Sequence, residues 1–221
     1  MVDIPRDLLP GAEIDLESLP PESYRTGQTR NRGDQNLIDK AASVLLAAQR
    51  PVIVAGGGVQ WSNAGNEVTR MANMIGAAIT TSYGRADAVP NDYPLYLGHL
   101  GRLGSEEAIE ASRQADVILA IGTRLGQSTA FYDNRYIPAD AKIIQIEIDP
   151  EELGRNYPVS VGIEGDAKAV MEGLIAQVQQ AEPRPNQQWV DDVGDLAARR
   201  KRRLDAEATD NAMPMKPQGL R

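Results

Sequence analysis

The residues best suited to chemistry stand at the ends of short apolar runs. Gly56-Gly57-Gly58 follows Pro51-Val-Ile-Val-Ala, and without Cβ atoms these positions would let a phosphate or a nucleotide edge approach the backbone N–H groups. The signal is weak, because the dinucleotide fingerprint needs glycine where Trp61 stands and no P-loop lysine follows. A tight strand-to-helix turn explains the same glycines at least as well. Gly122-Thr123-Arg124 also closes an apolar run, so Arg124 would project where ligands of an α/β sheet collect, able to fork onto a phosphate or to tie down a neighbouring carboxylate. Asp149, before Pro150, could accept from ribose hydroxyls, but a turn or cap role is the plainer expectation. His99 is the sole imidazole and has no identifiable nucleophile beside it, which favours a loop histidine holding backbone over a catalytic base. Trp61 and Trp189 could stack on a base, although packing against a neighbour is the commoner use of an indole. No triad, metal cluster or acid/base pair emerges.

These positions need elements to hold them. Leu37, Ile38, Ala41, Val44, Leu45 and Ala48 recur at helical spacing behind Asp34, predicting a capped amphipathic helix that ends near Arg50. Strands are expected at Pro51–Ala55, Ala78–Ser82, Asp116–Gly122, Lys142–Asp149 and, more weakly, Ser160–Glu164. Helices are expected between them over about Ser62–Ile75 and Ser105–Ala115, then over Ala167–Gln180 behind Gly165-Asp166. Such alternation points to an α/β fold: a parallel sheet of about five or six strands, flanked by helices on both faces, Rossmann-like. Pro5, Pro10, Pro20 and Pro21 mark residues 1–33 as linker, 34–181 form the central domain, and 182–221 contain a polar helix from about Gln187 to Glu207.

With 31 acidic and 23 basic residues, the net charge of -8 opposes general binding to nucleic acid or anionic membranes. The run Arg199-Arg200-Lys201-Arg202-Arg203 does not reverse this, because Asp191, Asp192, Asp195, Asp205 and Glu207 surround it and make a solvated helix face the better reading. No run approaches the ~20 apolar residues of a membrane-spanning helix. The absence of cysteine excludes disulfides and thiolate metal sites. The opening residues lack the apolar core of a signal peptide, so a cytoplasmic location is expected.

Taken in order, Val2-Asp-Ile-Pro-Arg-Asp-Leu8, Arg50-Pro-Val-Ile-Val-Ala-Gly-Gly-Gly58, Ala115-Asp-Val-Ile-Leu-Ala-Ile-Gly-Thr-Arg124, Ala141-Lys-Ile-Ile-Gln-Ile-Glu-Ile-Asp149 and Gly162-Ile-Glu-Gly-Asp166 resemble the central domain of thiamine diphosphate-dependent enzymes of the acetolactate synthase type. The resemblance covers nearly the whole chain. It implies the Rossmann-like fold of DHS-like NAD/FAD-binding domains, lying between a pyrimidine-binding and a diphosphate-binding domain that together hold thiamine diphosphate and magnesium. Val2–Leu8 resembles the end of the first, and Met213-Pro-Met-Lys-Pro the entry to the last. Gly165-Asp166-Ala167 departs from the Gly-Asp-Gly of the magnesium motif, so the chain alone is expected neither to bind thiamine diphosphate nor to catalyse.

In flavin-containing members the central domain holds FAD in a structural role, and by resemblance Gly57, Gly58, Arg124, Asp149 and Asp166 fall where such contacts occur. Gly101-Arg102-Leu103-Gly104 and Leu125-Gly-Gln-Ser128 depart from the Gly-Met-His-Gly and Phe-Asp-Asp-Arg of acetolactate synthases, leaving room for flavin-free relatives such as sulfoacetaldehyde acetyltransferase. The implied function is that of a 2-oxo acid decarboxylase or carboligase, a dimer or tetramer at full length. The competing reading is a self-sufficient nucleotide-binding or scaffold module of the same fold.

Overall fold

The computed structural model describes residues 29–209 together with Pro20 and Ser23. The resemblances at Val2–Leu8 and Met213–Pro217 lie outside the described residues. Chain order runs α1 (Gln35–Leu46), β1 (Pro51–Ala55), α2 (Gly57–Ser62), α3 (Gly65–Ile75), β2 (Ala78–Thr81), β3 (Tyr96–His99), α4 (Glu106–Gln114), β4 (Val117–Ile121), α5 (Gln127–Ala130), β5 (Lys142–Glu147), β6 (Val161–Glu164), α6 (Ala167–Gln180) and α7 (Gln187–Ala208).

The six strands form one parallel sheet in the order β3-β2-β1-β4-β5-β6. Because side chains alternate along a strand, each strand feeds two cores. Ile53, Ile79, Leu119, Ile121, Ile144 and Ile146 join the core under α1, α3 and α6. Val52, Val54, Ala78, Ile118, Ala120 and Ile143 join the opposite core, which α4 and α7 cover. This is why β1 and β4 read as unbroken apolar runs: neither face meets water.

Local chemistry sets the element ends. Asp34 caps α1 by accepting from the amides of Asn36 and Leu37, and Ser105 caps α4 by accepting from Ala108. Helix α1 stops at Leu46, short of the expected Arg50, since Asp116 takes the amides of Gln49 and Arg50 at 2.7 and 2.8 Å and turns the chain into β1. The helix expected over about Ser62–Ile75 is α3, which begins at Gly65; the short helix α2, which had no counterpart in the sequence reading, precedes it and ends where Asn63 adopts the left-handed conformation. Strand β3 has no counterpart in the sequence reading. It is a short edge strand pairing only with β2, between Pro94 and Gly101, too brief to print a period.

Helix α7 lies against the sheet. Its Trp189, Val193 and Leu196 are buried among the second core, and the Trp189 indole N–H donates to the Pro51 carbonyl at 3.2 Å. Farther along, Arg199 and Arg203 pair with Glu107 of α4, and Arg200 stands 5.0 Å over the Tyr96 ring. The basic run therefore faces protein carboxylates at Arg199 and Arg203. Among the described residues no helix is long and apolar enough to cross a membrane.

Candidate functional site

The order 3-2-1-4-5-6 reverses between β1 and β4, and a ligand crevice is expected where the two diverging crossovers leave the carboxyl ends of those strands. A cleft of about 740 Å³ opens there. Its floor is a backbone crossing: the Gly58 amide donates to the Gly122 carbonyl at 3.0 Å, and the Gly56 amide to Ile121 at 2.8 Å. A Cβ on Gly122, which has φ +56°, would meet the Gly58 Cα at 2.4 Å, so no side chain fits between the two turns. Gly56 and Gly58 thus serve the tight turn. Gly57 differs, for a Cβ there would meet only the Arg85 side chain, 2.9 Å away at Nε.

The walls come from the loops after β2, β4, β5 and β6. Ser82 and Thr123, buried, share a 2.7 Å hydrogen bond that ties the tips of β2 and β4 together. Gln145, buried in β5, donates to the carbonyls of Thr123 and Glu152 and accepts from the Gly154 amide at 2.8 Å. With three of its four hydrogen-bonding positions filled, this amide holds the loop bearing Arg124 against the turn after β5. Arg124 is 66% exposed and sits 3.5 Å from Glu152, which Arg155 holds more closely at 2.8 Å. Its guanidinium therefore keeps capacity for a ligand while it lines the cleft.

Of the five candidate residues, Gly57, Gly58, Arg124 and Asp166 line this cleft, and Asp149 does not. Asp149 caps the turn Pro150–Glu152 by accepting from the Glu151 amide at 3.0 Å. Asp166 caps α6, its Oδ1 accepting from the Ala169 amide, the Ser62 hydroxyl and the Arg30 guanidinium at 3.0, 2.8 and 2.9 Å. Burial pushes the Asp166 carboxyl up, but these three hydrogen bonds and the Arg30 charge together hold it below the usual carboxylate range. His99 ends β3, with Nε2 3.2 Å from the Arg102 carbonyl.

Three cleft residues were not singled out from sequence. Glu147, the last residue of β5, is buried, and desolvation raises its carboxyl above the usual range against the lowering pull of the Ile148 and Asp149 amides and of Arg124. Arg85 and Tyr83, from the loop after β2, form the opposite wall. Trp61, whose place in the fingerprint argued against a dinucleotide turn, stands 85% exposed at the rim. The site therefore combines a backbone floor without side chains, two arginines, one buried carboxyl and exposed aromatic rings, a set suited to holding a ligand. Among the described residues no group of three or more His, Cys, Asp or Glu comes together to hold a metal ion.

Comparison with known proteins agrees with this architecture. Residues 38–174 match the family described as "Thiamine pyrophosphate enzyme, central domain". The probable acetolactate synthase large subunit of Methanocaldococcus jannaschii is 36% identical over 198 residues, which cover 88% of this chain and 33% of that protein. The sulfoacetaldehyde acetyltransferase of Alcaligenes xylosoxydans xylosoxydans is 42% identical over 171 residues, covering 76% of this chain and 28% of that protein. The chain thus spans about a third of the length of the curated relatives it matches. By the match over residues 38–174, this chain belongs to the thiamine pyrophosphate enzymes, as their central domain.

Proposed function

We propose that the chain serves, between a pyrimidine-binding and a diphosphate-binding domain, in a thiamine diphosphate-dependent enzyme of the acetolactate synthase or sulfoacetaldehyde acetyltransferase type acting on 2-oxo acids or related carbonyl substrates. Its own task is to bind an adenine nucleotide, free or as half of FAD, in the cleft between β1 and β4, and so to fix the geometry of the assembly. The observation that carries this is the Gly58–Gly122 backbone crossing at the sheet's switch point, roofed by a cleft large enough for a nucleotide. Gly57 and Gly58 would let the ligand lie against backbone, and Arg124 would meet its charge. Asp166 lines the cleft as the cap of α6, and Asp149, which does not line it, supports the site as the cap of the turn after β5.

Thiamine diphosphate and magnesium do not fit the described residues. Asp166 has Oδ1 committed to three donors, and among the described residues no group of three or more His, Cys, Asp or Glu stands with it. The thiazolium chemistry is therefore assigned to the neighbouring domains, and none of its steps to this chain.

The test incubates the purified chain with FAD or with ADP, removes free ligand by desalting and measures what stays bound. Retained ADP with no flavin absorbance places the protein with flavin-free relatives, and retained flavin places it with the flavin-containing ones. Retention of neither sinks the nucleotide reading. Turnover of pyruvate by the chain alone with thiamine diphosphate and magnesium would overturn the division of labour.

A further inference from the structure

Resting on the nucleotide reading, we infer that Arg85 is the residue that selects a phosphorylated ligand, gripping its phosphate over Gly57 while Glu147, at the tip of β5, accepts from its hydroxyls. Arg85 follows β2, in a segment no pattern distinguished. Its guanidinium lies over Gly57, where a Cβ would come within 2.9 Å of Nε, so the glycine leaves the space that the arginine occupies. Among the described residues its side chain makes only a 3.5 Å contact to the neighbouring Gly84 carbonyl, and no carboxylate pairs with it.

Arg50 and Arg70 also lack a carboxylate but donate to the Gln114 carbonyl and the Gln179 side chain, whereas Arg85 lines the cleft with its fork unengaged by any side chain among the described residues. Asp87, two residues on, is engaged by the Gln60 amide at 2.6 Å. A planar fork beside a backbone floor without side chains suits a phosphate, which accepts two parallel N–H bonds. The cleft carries both signs of charge: Arg85 lines it from the loop after β2, Arg124 from the loop after β4, Glu147 from the tip of β5 and Asp166 from the loop after β6, with Arg124 near enough to act on the Glu147 carboxyl. Such a lining fits a ligand that is anionic and also offers hydroxyl donors, as a ribose phosphate does. Trp61 and Tyr83, both exposed on the same rim, offer rings on which a base can stack.

Titration of the purified chain with adenosine, AMP and ADP, followed by calorimetry and by Trp61 emission, tests the assignment on the wild type and on Arg85→Ala and Arg85→Lys. Loss of charge-assisted hydrogen bonds predicts that Arg85→Ala weakens ADP about 10–100-fold and leaves adenosine unchanged, with Arg85→Lys in between. Since Arg85 is exposed, the melting temperature of each variant should match the wild type, separating lost contact from lost fold. Equal affinity for adenosine and ADP, untouched by Arg85→Ala, would overturn the clamp while leaving the nucleotide reading intact. Failure of all three ligands to bind the wild type would overturn both.

Discussion

Replacing Glu107 by Gln tests what holds α7 to the domain. The Glu107 side chain is 1% exposed; Oε2 accepts from Arg203 at 2.9 Å, and Oε1 lies 3.5 Å from Arg199. Burial pushes this carboxyl up, but the Arg203 hydrogen bond, the backbone amide at Glu107 and the charges of both arginines outweigh it and hold the group below the usual range. Removing one partner of a fully buried pair costs ~3–5 kcal/mol. Here the arginine side chains are 36% and 46% exposed and can turn to water, so the loss should be smaller, about 2 kcal/mol. For a chain of this size that is a fall of about 4–8 °C in melting temperature at neutral pH. A depressed carboxyl adds stability above its unfolded value, about pH 4.3, and loses it as pH falls through the folded one. The gap between wild type and variant should therefore close in acid. Urea denaturation at neutral pH and through a descending acid series measures it, and hydrogen exchange should show earlier opening over Arg199–Ala208 than at Trp189, which apolar packing holds. Equal midpoints at neutral pH, or a gap that persists unchanged in strong acid, would refute the reasoning.

Two further substitutions probe the floor and the wall of the cleft. Gly122→Ala forces a left-handed residue, roughly 1–2 kcal/mol by itself, and drives a Cβ into the Gly58 backbone, which cannot yield without separating the β1 and β4 turns; we expect at least about 3 kcal/mol of destabilisation by denaturant titration, and a midpoint near wild type would contradict the crossing. Glu147→Gln should stabilise the apo chain at neutral pH by up to about 1–2 kcal/mol, because the raised carboxyl favours folding below its unfolded value and loses that advantage as pH rises through the folded one. The gain should vanish near pH 3, and nucleotide affinity should fall; a variant less stable at neutral pH would show that the charge is needed by the fold.

The legible part of the fold is the part buried on both faces. β1 and β4, central in the sheet, have no solvent-facing positions, so their residues form short continuous apolar runs, each stopped by glycine. Helix α6 was equally plain, since Asp166 supplies a cap and its apolar positions hold a steady period. β3 was lost because an edge strand of four residues containing Gly98 carries no alternation, and α5 because a four-residue helix is shorter than the period it would have to print. α2 was lost for a like reason: six residues opening on Gly57 and Gly58 are too few to print a helical period.

The site was legible only where a motif sits directly on a strand end. Gly57, Gly58 and Arg124 follow β1 and β4, the two strands that define the switch point, so their sequence context already implied their place. Arg85 had no such context. It reaches Gly57 because β2 lies beside β1, and adjacency in a parallel sheet depends on how the crossovers pack, which no short segment encodes. Glu147 and Asp149 show the same limit at the scale of one pleat. Both end the run Ile146-Glu147-Ile148-Asp149, and only the point where pairing with β6 stops, at Glu147 opposite Glu164, decides which carboxylate lines the cleft and which caps the following turn. The lining of the cleft is thus set by sheet order and strand length acting on ordinary residues.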